Sequence, residues 1–257
     1  MTNIRPSVID REYITQFFHD RNIDEYAVIS ASSLHAPKGR RPCDLLPSAR
    51  TMILFGVEMD EDLFSGTQDD ISSKAHIFET TIRNLASDLA SALHADGFEA
   101  TAVRSIILQD GTIKGVLSLP HCAAEAGLGK IGDNRLLISP RYGSRLGLGG
   151  VVTSRDIDET PRPESADEPC NHCKKCISAC PEHALTPGNL DLFKCRNVTG
   201  SVSGLMRPVI FRFIRSGEHL PFSNRILNFL AGGRINACAY CLVSCPRFHK
   251  EPSDSDS

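Results

Sequence analysis

Apolar residues recur at three- and four-residue intervals in two stretches near the start of the chain. Ile9, Tyr13, Ile14, Phe17 and Phe18 fall on one helical face, and Ser7, three residues before Asp10, reads as the start signal of that helix. Ile77, Phe78, Ile82, Leu85, Leu89 and Leu93 mark a second and clearer helix, with Gly97 as its stop. Tyr26-Ala-Val-Ile-Ser30 reads as a short strand, and Met52-Ile-Leu-Phe-Gly-Val57 has the unbroken apolar character of a buried one. Strand-like segments follow at Ala100–Val103 and Ser105–Leu108, with Asp110-Gly111 as a turn. Helices alternating with strands predict a mixed α/β layer rather than a bundle.

Composition changes this picture little. The 257 residues are 41% apolar and 23% charged, enough for one sizeable core and a smaller appended module. A net charge of −3 and a pI near 6.3 argue against a dominant nucleic-acid-binding role. No apolar run has the length of a membrane span, and Met1–Ser7 lacks a basic start followed by an apolar core, so a cytoplasmic, reducing setting is expected. The acidic, proline-rich stretch from Asp156 to Pro169 reads as a linker, which divides the chain into a domain over 1–156, a module over 157–250 and a polar, disordered tail over 251–257. Pro37–Pro47 is expected to be a loop whose Lys38, Arg40 and Arg41 are either solvated or meet an anionic ligand.

The cysteines carry the chemistry. Cys170, Cys173, Cys176 and Cys180, closed by Pro181, have the C-x2-C-x2-C-x3-C-P spacing of a bacterial 4Fe-4S ferredoxin. Cys238, Cys241 and Cys245 before Pro246 form a second run, and Cys195 stands alone between the two. In two-cluster ferredoxins the fourth cysteine of a run ligates the other cluster. Two sites need eight thiolates, and the assignment is Cys170, Cys173, Cys176 and Cys245 for one, Cys180, Cys195, Cys238 and Cys241 for the other. Zinc is disfavoured because its sites usually show paired C-x2-4-C motifs, and disulfides suit small secreted scaffolds. Cys43 and Cys122 are expected to be ordinary buried thiols.

Gly127, Gly129 and Gly132 spell G-x-G-x-x-G, but a small-residue helix precedes them and a strand-like run, Leu136–Ser139, follows. That order is the reverse of a dinucleotide site. The stretch from Ala126-Gly-Leu-Gly-Lys-Ile-Gly-Asp-Asn-Arg to Gly-Leu-Gly-Gly-Val-Val-Thr153, followed by the two cysteine runs, resembles the epoxyqueuosine reductase family, as does Arg41-Pro-Cys-Asp-Leu-Leu-Pro-Ser-Ala-Arg-Thr-Met-Ile-Leu54. The likeness covers about residues 10 to 250. It implies an α/β (α+β), cobalamin-reductase-like or nitroreductase-like layer with an appended ferredoxin-like module carrying two 4Fe-4S clusters, as in the related reductive dehalogenases. It further implies electrons passing through the clusters from a donor such as a ferredoxin or flavodoxin to a bound cobalamin, whose reduced cobalt removes oxygen, halogen or a related group. Gly127, Gly129, Ile131, Gly132 and Asn134 would line the corrinoid.

Three departures bear on the substrate. The family's acidic proton donor has no counterpart in Lys114–Cys122, where His121 is the residue able to take that role. The helical-repeat extension that helps the queuosine enzyme hold tRNA is not expected after Pro246, which makes tRNA the less favoured alternative beside a small molecule or nucleoside. The 42 residues of 196–237 between Cys195 and Cys238 form an insert. Its apolar runs over 205–234 are punctuated by arginines, a composition that covers the clusters or lies on an anionic membrane surface. The leading expectation is an iron-sulfur oxidoreductase. The alternatives are a ferredoxin-type electron-transfer protein and a corrinoid-reducing partner without substrate chemistry of its own.

Overall fold

The computed structural model describes residues 9–36, 40–103, 107–109, 112–114, 117–162, 169–192, 194–199 and 237–248. The insert over 205–234 and the tail over 251–257 lie outside them.

The organising element is a four-stranded antiparallel sheet in the order β1-β2-β8-β3. Its strands are β1 (Glu25–Ser30), β2 (Thr51–Glu58), β3 (Ala100–Ala102) and β8 (Leu146–Thr153). Alternation along β2 divides the core. Ile53 and Phe55 face one way with Val28 and Val151, and Met52 and Leu54 face the other with Ala27, Ile29 and Val152. The first face is covered by α1 (Arg11–His19) through Ile14, Phe17 and Phe18, and by α3 (Gln68–Ala95) through Ala86, Leu89, Ala90 and Leu93. The second is covered by α4 (Leu119–Glu125) through Leu119, Cys122 and Ala123. Both faces are therefore dry, which is why β2 reads as continuously apolar.

Several expectations need correction. Asp10, not Ser7, caps α1, its Oδ1 accepting from Tyr13 N–H at 2.9 Å; Ser7 itself is outside the described residues. Helix α3 starts at Gln68, where Thr67 and Asp70 form a reciprocal capping box, and Ile77, one of the residues that mark it, is 67% exposed. Its stop does involve Gly97, at φ 89°. The segment before β2 contains a one-turn helix, α2 (Pro42–Leu45), whose N-cap residue Arg41 is paired with Asp44 at 3.1 Å. Cys43 on that turn is exposed because Pro42 is the residue turned inward; Cys122 is buried as expected.

The chain beyond β8 stays on the sheet for several residues. Ile157 is buried, its N–H donating to Thr51 Oγ1 at 3.1 Å, and Thr160 N–H donates to Val28 O at 3.0 Å. Two antiparallel pairs lie outside the sheet of this first layer: β4 (Ile107–Gln109) with β5 (Thr112–Lys114), and β6 (Lys130–Ile131) with β7 (Leu137–Ile138). The cysteine segments add α5 (Lys175–Ser178), the pair β9 (Leu185–Thr186) and β10 (Asn189–Leu190), α6 (Arg196–Thr199) and α7 (Tyr240–Val243). They dock on the first layer: Ser144 N–H donates to Arg247 O at 3.1 Å, Gln68 Nε2 donates to Ala237 O at 2.9 Å, and the Phe64 and Phe248 rings meet edge to face at 5.4 Å. No described helix is long and apolar enough to cross a membrane.

Candidate functional site

Cys180, Cys195, Cys238 and Cys241 line one cavity of about 300 Å³. They arrive from separated segments: Cys180 after α5, Cys195 before α6, Cys238 before α7 and Cys241 within it. Leu63, Phe64 and Phe78 from the first layer and Leu136 from the β6–β7 hairpin supply apolar walls. Burial, then the neighbouring Cys238, Cys195 and Cys180, pushes the Cys241 thiol up to about 12. Burial also raises Cys238, with Cys195 and Cys180 adding to the effect. Such thiols stay protonated until a metal ion supplies the positive charge that thiolates need. Cys180 Sγ already accepts the Ala184 N–H at 3.3 Å, which fixes its direction.

Cys170 and Cys245 lie near Cys176 of the first run. Cys176 is buried, and burial raises its thiol before the contributions of Asp133, Cys245 and Cys170. Cys173 is exposed. The run coils because His172 and Lys174 take left-handed backbone, at φ 52° and 62°. Both side chains turn to Asp133 in the β6–β7 hairpin: Lys174 Nζ lies 2.8 Å from Oδ2 and His172 Nδ1 lies 3.1 Å from Oδ1. The Lys174 hydrogen bond, with His172 adding to it, holds the Asp133 carboxyl below the ordinary carboxylate range. Asp133, Cys170 and His172 also place one ligand atom each within 4.8 Å of one another, although Lys174 already neutralises the carboxylate.

The glycine segment has a structural task of its own. Gly129, at φ 155°, brings the hairpin so close that a Cβ there would overlap the Ile138 carbonyl, and a Cβ on Gly132 would overlap the Ile138 side chain. Gly127 and Ile131 are half-buried. Asn134 is 3% exposed and lines the four-cysteine cavity. Its Oδ1 accepts the Leu136 N–H at 3.1 Å, and its Nδ2 has no hydrogen-bond partner among the described residues.

His121 keeps an exposed edge at the start of α4. Its Nε2 is 3.2 Å from an Arg135 Nη2 and its Nδ1 is 2.6 Å from Ser118 Oγ. A guanidinium can only donate, so Nε2 accepts and the proton of the neutral ring sits on Nδ1, facing Ser118. Partial burial, then the Arg135 charge, lowers the His121 pKa against the pull of Glu125. Sequence reasoning passed over Asp133, Arg135, His172 and Lys174; the one local hint is that Asp133 and Arg135 flank Asn134 directly after the last glycine.

No family model matches the chain. The epoxyqueuosine reductase of Lactococcus garvieae (strain Lg2) is 40% identical over 125 residues, 48% of this chain and 30% of that protein. That of Pseudomonas aeruginosa is 25% identical over 240 residues, 86% of this chain and 58% of that protein. The chain thus spans less than two thirds of the length of the curated relatives it matches. Among solved structures, epoxyqueuosine reductase from Streptococcus thermophilus superimposes with a TM-score of 0.58 at 20% identity, covering 95% of this chain and 68% of that one. A reductive dehalogenase, whose structure suggests a mechanism for B12-dependent dehalogenation, gives 0.53 at 14% identity, covering 93% of this chain and 39% of that one. The chain is a sequence relative of epoxyqueuosine reductases and shares its fold with both groups of proteins.

Proposed function

We propose, from this kinship, that the chain is an iron-sulfur oxidoreductase that carries two 4Fe-4S clusters and passes electrons through them to a bound cobalamin, for reductive chemistry on a small molecule or modified nucleoside. The observation that carries the reading is the convergence of Cys180, Cys195, Cys238 and Cys241 on one apolar-walled cavity. Four thiols in a water-poor site, with a backbone N–H on one sulfur, match the donor set and surroundings of a cluster. The cavity is at the small end of ligand sites, which suits a compact inorganic group rather than a macrocycle. Cys170, Cys173, Cys176 and Cys245 would hold the second cluster, and residues 157–250 would form a ferredoxin-like module on a nitroreductase-like layer.

For cobalamin the residues that would fit are Gly127, Ile131 and Arg135, in and beside the β6–β7 hairpin. Gly127 and Ile131 are half-buried there, and the Arg135 guanidinium suits the amide and phosphate groups of a corrinoid. Bound cobalamin would supply a reduced cobalt able to strip oxygen or halogen from carbon. The chain's part is to hold and orient it. His121 would serve the substrate side: its neutral ring, protonated on Nδ1, positions Arg135 through Nε2, and Nε2 would deliver a proton only after Arg135 has released it and it has first taken one up from water. Electrons would come from a ferredoxin or flavodoxin.

A second reading, an electron-transfer protein without substrate chemistry, is favoured by one observation. Gly129 and Gly132 are needed for contact with Ile138, so their presence does not by itself require a ligand. Anaerobic reconstitution with iron and sulfide, followed by titration with cobalamin, separates the two. About eight irons per chain and a saturable change in the corrinoid bands support the enzyme. Eight irons without a corrinoid response favour electron transfer alone, and fewer than about four refute both.

A further inference from the structure

We infer that Asn134 donates a hydrogen bond from Nδ2 to the cluster held by Cys180, Cys195, Cys238 and Cys241, and so raises that cluster's reduction potential. The inference rests on the two-cluster reading above, and it moves Asn134 from the corrinoid side to the cluster side of the hairpin.

Three observations support it. First, the residue is 3% exposed and lines the cavity that the four cysteines share. Second, its orientation is determined: the Leu136 N–H can only donate, so the carboxamide oxygen must face it at 3.1 Å, which leaves the NH2 as the other arm. Third, that NH2 has no partner among the described residues. A buried amide N–H without a partner is costly, and a position that keeps one needs an acceptor the protein itself does not provide. Cluster and thiolate sulfurs are such acceptors.

The turn is built to hold the arm still. Gly132 N–H donates to Leu136 O at 3.0 Å and Arg135 N–H to Gly132 O at 2.9 Å, while Asp133 on one side is tied to Lys174 and His172. A fixed donor stabilises the reduced cluster more than the oxidised one, because reduction adds negative charge to the sulfurs. The neighbouring walls are apolar, which leaves this bond little competition from water.

The test is a redox titration, followed by electron paramagnetic resonance, of the full chain reconstituted anaerobically, as wild type, Asn134→Leu and Asn134→Asp. A Cys241→Ser chain identifies which signal belongs to the cavity. In Asn134→Leu the cavity cluster is expected to shift about tenfold toward the oxidised form at fixed potential, about 59 mV for a one-electron couple, with the other cluster unmoved. Asn134→Asp keeps the acceptor for Leu136; its cavity cluster should also shift toward the oxidised form, and an unchanged midpoint there overturns the inference even where the leucine variant does not assemble. Unchanged midpoints at full iron content, a shift confined to the cluster that survives Cys241→Ser, or a shift in the aspartate variant alone when both assemble would overturn the inference. Loss of the cavity cluster in both variants, with circular dichroism unchanged, would replace the potential-setting role by a scaffolding one. A wild-type chain that binds no iron refutes the two-cluster reading instead.

Discussion

Glu58→Ala is expected to destabilise the fold more than Arg145→Met, although both remove the same ion pair. The Arg145 side chain is 4% exposed and that of Glu58 is 35% exposed, with Nη1 to Oε1 at 2.9 Å. The same Nη1 lies 3.0 Å from Met59 O, while Nε has no partner among the described residues. Removing Glu58 leaves a buried cation that keeps the Met59 carbonyl, and uncompensated buried charges cost about 3–5 kcal/mol. The retained Met59 bond places the expectation near the lower end, about 3 kcal/mol. Removing Arg145 leaves a carboxylate that water reaches, while methionine fills much of the vacated volume, so about 1 kcal/mol is expected. The double variant should fall close to Arg145→Met alone. Urea unfolding followed by circular dichroism measures all four chains, each in the same metal-loaded state because unequal loading breaks two-state comparison. An Arg145→Met chain as unstable as Glu58→Ala, or an additive double variant, would show that burial does not decide the energetics of this pair. The pair matters for the site because Met59 lines the cysteine cavity.

Other perturbations separate the layers of the structure. Cys173→Ala should remove the spectral signature of one cluster while the α/β layer keeps its circular dichroism; global collapse would show that the cluster segment cannot be separated from the fold. Gly149→Val should cost about 1–3 kcal/mol, since a Cβ there overlaps the ring of fully buried Phe55, and a wild-type urea midpoint would mean that Phe55 can swing aside. Burial, then the neighbouring Asp24, raises the Glu25 carboxyl above its ordinary 4.5 despite Arg141 and Ser139. A raised folded-state pKa gives stability that is present below the ordinary value and lost as pH rises through the folded one. Glu25→Gln, neutral throughout, should therefore raise Tm at pH 7, with the gain shrinking as pH falls below 4.5; an equal gain at both ends would contradict that cause.

Strand β2 was legible because both of its faces are covered, so every position carries an apolar signal. Its partner β8 was not marked as a strand, since Gly147, Gly149 and Gly150 remove the side chains that strand patterns are read from. Packing explains the glycines: Phe55 lies where a Gly149 side chain would be, and Phe78 of α3 lies over Gly147. Ile77 shows the converse limit. Helical spacing assigns it to the stripe, but α3 begins well before the sheet it covers, and the fully buried positions are confined to its second half. Cysteine spacing carried further, pointing to Cys195 as the companion of Cys180, Cys238 and Cys241, with which it lines the cavity. The polar partnerships had no local signal. Glu58 and Arg145 are 87 residues apart, Asp133 and Lys174 are 41 apart, and the direction of the Asn134 side chain follows only from the closed turn that holds it.

That turn gives the glycine segment its place in the molecule. Asp133 and Asn134 are adjacent, yet one reaches the first cysteine run and the other the four-cysteine cavity. His172 and Lys174 sit in left-handed backbone, a costly conformation for residues with side chains, and the charge-assisted bonds to Asp133 offset that cost. The coil of the first run therefore depends on a residue outside it. Because both cysteine groups lean on the same turn, moving it to suit one strains its contact with the other. The glycines beside it allow close packing against Ile138 rather than motion.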